Sequence, residues 1–165
     1  MSIRARAFKF GDDIDIDHII SGKYKSNDME DMARHAMEEI DPHYYERVSP
    51  EGGILVAGTN FGCGPSREQA PLVLIYSNTR AVLAKGFARI FCRNAVNIGL
   101  PLVQCDTDRI NEGDEVEVDL EAGVVRNLTS EEGIPFTPLP SVMTQLLVDG
   151  GLAEHFRKHG GFALK

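Results

Sequence analysis

At 165 residues the chain has the length of one domain, 1–165, and is large enough to bury a core without disulfide or metal staples. Its net charge of −8 and pI near 5.1 exclude a nucleic-acid binder, because no basic stripe is present to neutralise phosphates. No apolar run approaches the roughly 18 residues of a membrane span. The opening Met1-Ser2-Ile3-Arg4 is not followed by the apolar core of a secretion signal, so no membrane association and a cytoplasmic location are expected.

Arg4 to Phe10 alternates charged or small residues with apolar ones and reads as a strand, turned by Gly11-Asp12-Asp13. Asp13-x-Asp15-x-Asp17 has the look of a calcium loop but fails as one. The sixth position is His18 instead of glycine and the twelfth is Tyr24 instead of glutamate. A solvated loop with Asx turns is the plainer reading. Gly22 to Asn27 is polar and flexible. A helix follows, with Asn27 and Glu30 spaced as a capping box and Met29, Met32, Ala33, Ala36, Met37 and Ile40 on one face. Asp41-Pro42 ends it, with Tyr44 and Tyr45 packing nearby.

Ile54-Leu55-Val56-Ala57 is long enough only for a buried strand, and Leu72, Val73, Ile75 and Tyr76 resume apolar character at helical spacing. Between them lies a glycine loop, Gly58-Thr59-Asn60-Phe61-Gly62-Cys63-Gly64-Pro65-Ser66-Arg67-Glu68. Its glycines permit positive φ and close backbone approach, and a helix start beyond it presents free N–H groups, so a small anion is the expected ligand. Arg67 adds a planar fork suited to a carboxylate or phosphate, and Ser66 a hydroxyl beside it, with a helix N-cap over Gln69 as its plainer role. A phosphate-binding Walker loop is excluded because no lysine occurs between Val56 and Val82. A dinucleotide fingerprint starting at Gly62-x-Gly64 is excluded because its third glycine position is Arg67.

Ala81 to Ala84 reads as a second buried strand, Phe87 to Ile98 as a helix stopped by Gly99, and Leu100 to Val103 as another strand. Two such strand–helix passages imply right-handed crossovers and a parallel sheet. Glu115 to Leu120 then alternates strictly, Glu121-Ala122-Gly123 turns, and Val124 to Leu128 returns, an antiparallel hairpin with one wet face. Val142 to Val148 is a final helix stopped by Gly150-Gly151-Leu152, with Arg157, Lys158 and Lys165 left to solvent. The expected class is α/β, a parallel sheet core flanked by helices and an antiparallel hairpin.

Cys63, Cys92 and Cys105 are odd in number, widely spaced and without a Cys-x-x-Cys pair, so neither a disulfide framework nor a metal site is indicated. Cys63 stands near a helix start, which would lower its pKa. A cysteine-dependent enzyme would also need a histidine partner, and no pattern singles out one of the five histidines.

Two long motifs carry a family resemblance. Asn60-Phe61-Gly62-Cys63-Gly64-x-Ser66-Arg67-Glu68-Gln69-Ala70-Pro71 is followed by Ala81-Val82-x-Ala84-Lys85-x-Phe87-Ala88-Arg89-Ile90-Phe91-x-x-Asn94-x-x-Asn97-x-Gly99-Leu100. Together they closely resemble the small subunit of 3-isopropylmalate dehydratase and homoaconitase, the counterpart of the swivel domain of aconitase. The resemblance runs from about Phe8 to Gly150-Gly151-Leu152 and implies a swivelling β/β/α domain. Such a domain docks over a separate aconitase-like large subunit that carries a [4Fe–4S] cluster, with none bound by this chain. The pair shifts a hydroxyl between adjacent carbons of a small di- or tricarboxylic acid.

Residue by residue, the resemblance makes Asp17, in Ile16-Asp17-His18-Ile19-Ile20, an active-site aspartate and Arg67 a clamp for a substrate carboxylate. Asn60 and Gly64 fall in the same motif and are assigned to substrate binding. The family's base is a serine of Gly-Ser-Ser-Arg-Glu; here Pro65 replaces the first serine, and Ser66 is carried over as the candidate base. Family members differ in substrate through the loop matching Tyr24-Lys25-Ser26-Asn27. This loop has neither the apolar form that accompanies isopropylmalate nor the arginine form that accompanies homocitrate-like acids. Lys25 could meet a third carboxylate, and a polar or small substrate, such as a methylated malate, is expected over isopropylmalate. A stand-alone anion-binding regulatory module is the alternative from a different class.

Overall fold

The computed structural model describes residues 1–161. Seven strands form one sheet in the order β4-β3-β2-β1-β5-β6-β7. They are β1 (Ser2–Lys9), β2 (Gly53–Val56), β3 (Thr79–Ala84), β4 (Leu102–Gln104), β5 (Glu115–Asp119), β6 (Val124–Asn127) and β7 (Glu132–Pro135). The first four run parallel and β5 to β7 continue antiparallel from the far edge of β1. The expected α/β class, parallel core and antiparallel hairpin are all present, the hairpin extended by a third strand.

Period-2 alternation in the parallel half feeds two apolar cores, one on each face. Leu55, Val82 and Leu102 point into one, while Ile54, Val56, Ala81, Leu83 and Val103 point into the other. Strands buried on both faces read as unbroken apolar runs, as the Ile54 to Ala57 stretch does. In the antiparallel half Val116, Val118, Val125, Asn127 and Ile134 are buried, and Glu115, Glu117 and Asp119 stay half-exposed on the wet face.

The helices are α1 (Ile16–Ile19), α2 (Met29–Ala33), α3 (Tyr44–Val48), α4 (Gln69–Tyr76), α5 (Arg89–Asn97), α6 (Ser141–Asp149) and α7 (Leu152–His159). None is long and apolar enough to cross a membrane. Several differ from their sequence reading. The cap of α2 is Asp28, whose carboxylate accepts from the N–H groups of Glu30 and Asp31, and not Asn27. The methionine stripe does not lie on one helix. After Ala33 the chain continues in tight turns with Met37 at φ +60, yet Met32, Ala33, Ala36 and Met37 are still buried. The turns place inward most of the side chains that a helix would have, but Ile40, expected on the same face, is 40% exposed.

The Gly150-Gly151 pair stops α6 and then opens a further helix. Gly150 takes the left-handed C-cap of α6, and Gly151 packs so tightly on the end of α5 that a Cβ would stand 2.5 Å from the Asn97 carbonyl oxygen. Arg157 and Lys158 therefore lie on α7 and pair with Glu154 and Asp149. Lys165 falls outside the described residues.

Candidate active site

The glycine loop leaves the C-terminal end of β2, where ligands of open α/β sheets gather. Its backbone is zipped on both sides. On one side Gly58 N–H donates to the Gly11 carbonyl, Asp13 N–H to Thr59, Gly62 N–H to Ile14, and Ile16 N–H to Cys63. On the other, Phe61 N–H donates to Gly86 and Ala88 N–H to Phe61. Asp12 accepts from Thr59 N–H at 2.8 Å, and Asp13 from the Asn60 side-chain amide at 3.2 Å. The carboxylate run therefore ties two loops together. Gly62 has φ +84, and a Cβ there would meet Phe91 at 2.4 Å, so only glycine fits against α5.

Asp15 caps α1. Its carboxylate accepts from His18 N–H at 2.9 Å while its own N–H donates to His18 Nδ1 at 3.1 Å, a capping box built from aspartate and histidine. That short helix brings Asp17 opposite the glycine loop. Arg67 Nη2 donates to Asp17 Oδ1 at 2.6 Å, and Nη1 to the Ile20 carbonyl at 3.2 Å. Two contacts to the α1 segment, one to a side chain and one to its C-cap carbonyl, fix the guanidinium plane.

Arg67 separates two clefts. The larger, about 680 Å³, is lined by Ile20, Tyr24, Lys25, Asn27, Met32 and Gln69 as well as Arg67. The smaller, about 230 Å³, includes Gly64, Ser66, Arg67, Arg89 and Asn94. Ser66 Oγ accepts from Asn94 Nδ2 at 3.3 Å. The expected capping role for Ser66 is not what the chain uses: α4 starts at Gln69, its N-cap is Glu68, and no side chain caps it. Ser66 stands two residues before that cap and turns to α5 instead.

Of the six residues singled out from sequence, Arg67, Ser66, Gly64 and Lys25 line the clefts, with Arg67 shared between them. Asp17 touches the site through Arg67. Asn60 lines neither cleft; its amide holds Asp13 and its φ of +58 shapes the loop. Asn94 and Arg89 were missed as site residues although both lie in the second motif, because nothing in helical spacing says that α5 faces Ser66.

Lys25 reaches the larger cleft from a loop anchored by its neighbour. The Tyr24 ring stacks on His35, centroids 3.7 Å apart and 11° from parallel, under the Lys23 ammonium. Hydrogen bonding to Glu38 raises the Tyr24 pKa, and the same bond lowers that of Glu38. Lys25 and Arg89 make no ion pair among the described residues, in contrast to Arg4, Arg47, Lys85, Arg109 and Arg126, each held by a carboxylate. Cations left open beside a cleft are available to an anion.

Cys63 does not have the lowered pKa expected of it. Burial raises the thiol, and the Asp15 and Asp13 carboxylates raise it further, since the residue lies among acidic side chains well before α4 begins. Burial also raises Cys92, and pushes Cys105 up to about 12. Among the described residues the thiols belong to no group of three metal-ligating side chains.

A parallel sheet whose loop ends gather a guanidinium, a hydroxyl and open cations is suited to receive a small anion. The aconitase C-terminal domain family matches residues 3–107. A 3-isopropylmalate dehydratase small subunit of Archaeoglobus fulgidus is 50% identical over 97% of this chain and 98% of its own length. One from Thermotoga maritima is 44% identical over 97% of this chain and 98% of its own. The crystal structure of 3-isopropylmalate dehydratase from Methanocaldococcus jannaschii superposes with a TM-score of 0.92 at 42% identity, covering 97% of this chain and 96% of that one. The chain belongs to the aconitase C-terminal domain family, among its 3-isopropylmalate dehydratase small subunits.

Proposed function

We propose that the chain is the small subunit of a two-subunit hydro-lyase of the 3-isopropylmalate dehydratase type, acting on a malate-type acid and inactive without its large subunit. The observation that carries this reading is the convergence of Arg67, Ser66 and Lys25, from two separate loops, on adjoining clefts. Names of the relatives supply the reaction class and the partner.

Arg67 presents a planar fork, already oriented by Asp17 and Ile20, to one substrate carboxylate. Ser66 stands across the same guanidinium in the smaller cleft and takes the proton alpha to a carboxylate. Asn94 donates to Ser66 Oγ, so the alkoxide form of that oxygen, which accepts the proton and passes its charge to the substrate, meets a donor already in place. Arg89 faces the same cleft and adds positive potential where the anion sits.

The three separated, upshifted thiols of this chain do not fit a [4Fe–4S] cluster. The proposal places the cluster on the large subunit, where it would supply Lewis-acid assistance to the departing hydroxyl. Reconstitution tests the whole reading. The purified chain alone should show no dehydratase activity, and mixing it with a cluster-loaded large subunit should create it. Robust turnover by the isolated chain, or none by the pair on any malate-type acid, would overturn the proposal.

A further inference from the structure

At the other end of the chain, α6 and α7 fold back across Gly150-Gly151 and bring Asp149, His155 and His159 together. His155 and His159 are four apart on one helix and so share a face. His155 Nδ1 lies 2.7 Å and His159 Nε2 3.2 Å from Asp149 Oδ2, and the three ligand atoms lie within 4.8 Å of one another. The His155 side chain is fully buried, Asp149 is 6% exposed and His159 is 25% exposed.

Zinc bonds to imidazole nitrogen and carboxylate oxygen are about 2.0–2.2 Å, which puts neighbouring ligand atoms of a tetrahedron roughly 3.3 Å apart. One side of the triangle, 3.2 Å, is already close to that length; the 2.7 Å side is a hydrogen bond that opens as the ion enters and its proton leaves to solvent, and the partly exposed corner at His159 leaves a fourth position open to water. Gln145 Nε2 donates to the other carboxylate oxygen, Oδ1, at 3.1 Å, so Oδ2 faces the histidines. Such support from behind is what orients a metal-binding carboxylate. Lys158 Nζ, 3.7 Å from Oδ1, opposes a cation, but that side chain is 53% exposed and free to swing into solvent.

We propose that Asp149, His155 and His159 form a binding site for one divalent transition-metal ion of the zinc class. Two imidazoles and one carboxylate make a donor set of intermediate softness, suited to zinc, cobalt or nickel and unsuited to magnesium or calcium, which take oxygen ligands. Its role is a clip. A bound ion ties α7 to the end of α6.

The test uses the full chain, freed of metal with a chelator and titrated calorimetrically with zinc chloride, with cobalt(II) as an optical probe. Expected is one equivalent bound at micromolar zinc or tighter, a tetrahedral cobalt spectrum without thiolate charge-transfer bands, and a rise in Tm on saturation. His159→Gln, a change at the exposed corner that leaves the fold intact, should weaken binding by at least tenfold, and Asp149→Asn should abolish it. Cys63→Ser and Cys92→Ser should leave it unchanged. Absence of stoichiometric zinc binding by the folded chain, equal affinity in His159→Gln, or thiolate bands in the cobalt spectrum would each overturn the proposal.

Discussion

Arg67 and Asp17, fifty residues apart, are joined by a 2.6 Å hydrogen bond from Nη2 to Oδ1, and this bond couples the glycine loop to the short helix α1. Asp17 is more than half exposed, so the pair adds at most about 1 kcal/mol to stability. Its effect falls on orientation. Arg67→Lys keeps the charge and loses the fork, and should cost roughly 2–4 kcal/mol in kcat/KM of the reconstituted enzyme. Asp17→Asn should raise KM about tenfold with little change in Tm. Steady-state kinetics alongside thermal melts separate the two effects, and a large Tm loss in Asp17→Asn would show that the pair is structural.

Ser66 and Asn94 form the second coupled pair, linking the loop to α5 at 3.3 Å. Ser66→Ala should remove turnover while leaving assembly with the large subunit intact. Asn94→Ala withdraws one neutral donor, which is worth about 1 kcal/mol, and should lower kcat by roughly fivefold to tenfold with KM nearly unchanged. Full turnover in Ser66→Ala would move the base to another residue or to the partner.

Gly62 shows how tightly the loop is packed. Gly62→Ala combines positive φ with a Cβ directed into Phe91, and should destabilise the chain by about 2–4 kcal/mol. At this size that lowers Tm by roughly 5–15 °C in a thermal melt. Gly22→Ala is the contrasting case. Its Cβ would meet only the guanidinium end of the Arg67 side chain, at 2.7 Å, and would push it out of the geometry set by Asp17 and Ile20, so Tm should hold while substrate binding weakens.

Much of this architecture was legible in the sequence, and the exceptions have physical causes. The strands of the parallel core announced themselves as apolar runs because both their faces are buried. β7 did not, since Glu132-Gly133-Ile134-Pro135 has a single buried apolar residue, Ile134, and pairs with one neighbour only. α1 was hidden because its capping box uses aspartate and histidine in place of the usual serine and glutamate. α7 was hidden because a glycine pair is a stop signal in sequence, while in space the second glycine restarts the chain against α5. In the site, the loop motif displayed Arg67 and Ser66, but Asn94 could be assigned only once the sheet had set α5 beside them.

Asp149 makes stability depend on acid. Its carboxyl is held at about 2, first by the hydrogen bond from His155 and then by Gln145, His159 and Lys158, which together outweigh the opposing effect of burial. A depressed folded-state pKa contributes stability that is complete above the unfolded value of about 3.9 and is lost as pH falls from there towards 2. Tm measured from pH 5 down to pH 2 should therefore fall more steeply in the wild type than in Asp149→Asn, which has no carboxyl to protonate. Parallel curves would show that the carboxyl is not held down in the folded state.

On the proposed function, the larger cleft would set the choice of substrate. Tyr24 is pinned by His35 and Glu38, so the segment Lys25-Ser26-Asn27 is set in place at the rim and does not hang free. Ile20 and Met32 form an apolar patch deeper in, which the loop alone did not reveal and which suits a compact alkyl group. Covering a full isopropyl group would contribute on the order of 1.5–3 kcal/mol, but the rim residues Lys25, Ser26 and Asn27 offer it polar atoms. A methyl-substituted malate fits an apolar floor beneath a polar rim, and a tricarboxylic acid would use the Lys25 ammonium. The reconstituted pair should therefore turn over methylated malates or homocitrate-type acids with higher kcat/KM than isopropylmalate. Lys25→Ala separates the two. It should cut tricarboxylate turnover by about tenfold, the loss of one charge-assisted contact, and leave a methylated malate nearly unaffected. Preferred use of isopropylmalate, unchanged in Lys25→Ala, would show that Ile20 and Met32 outweigh the rim.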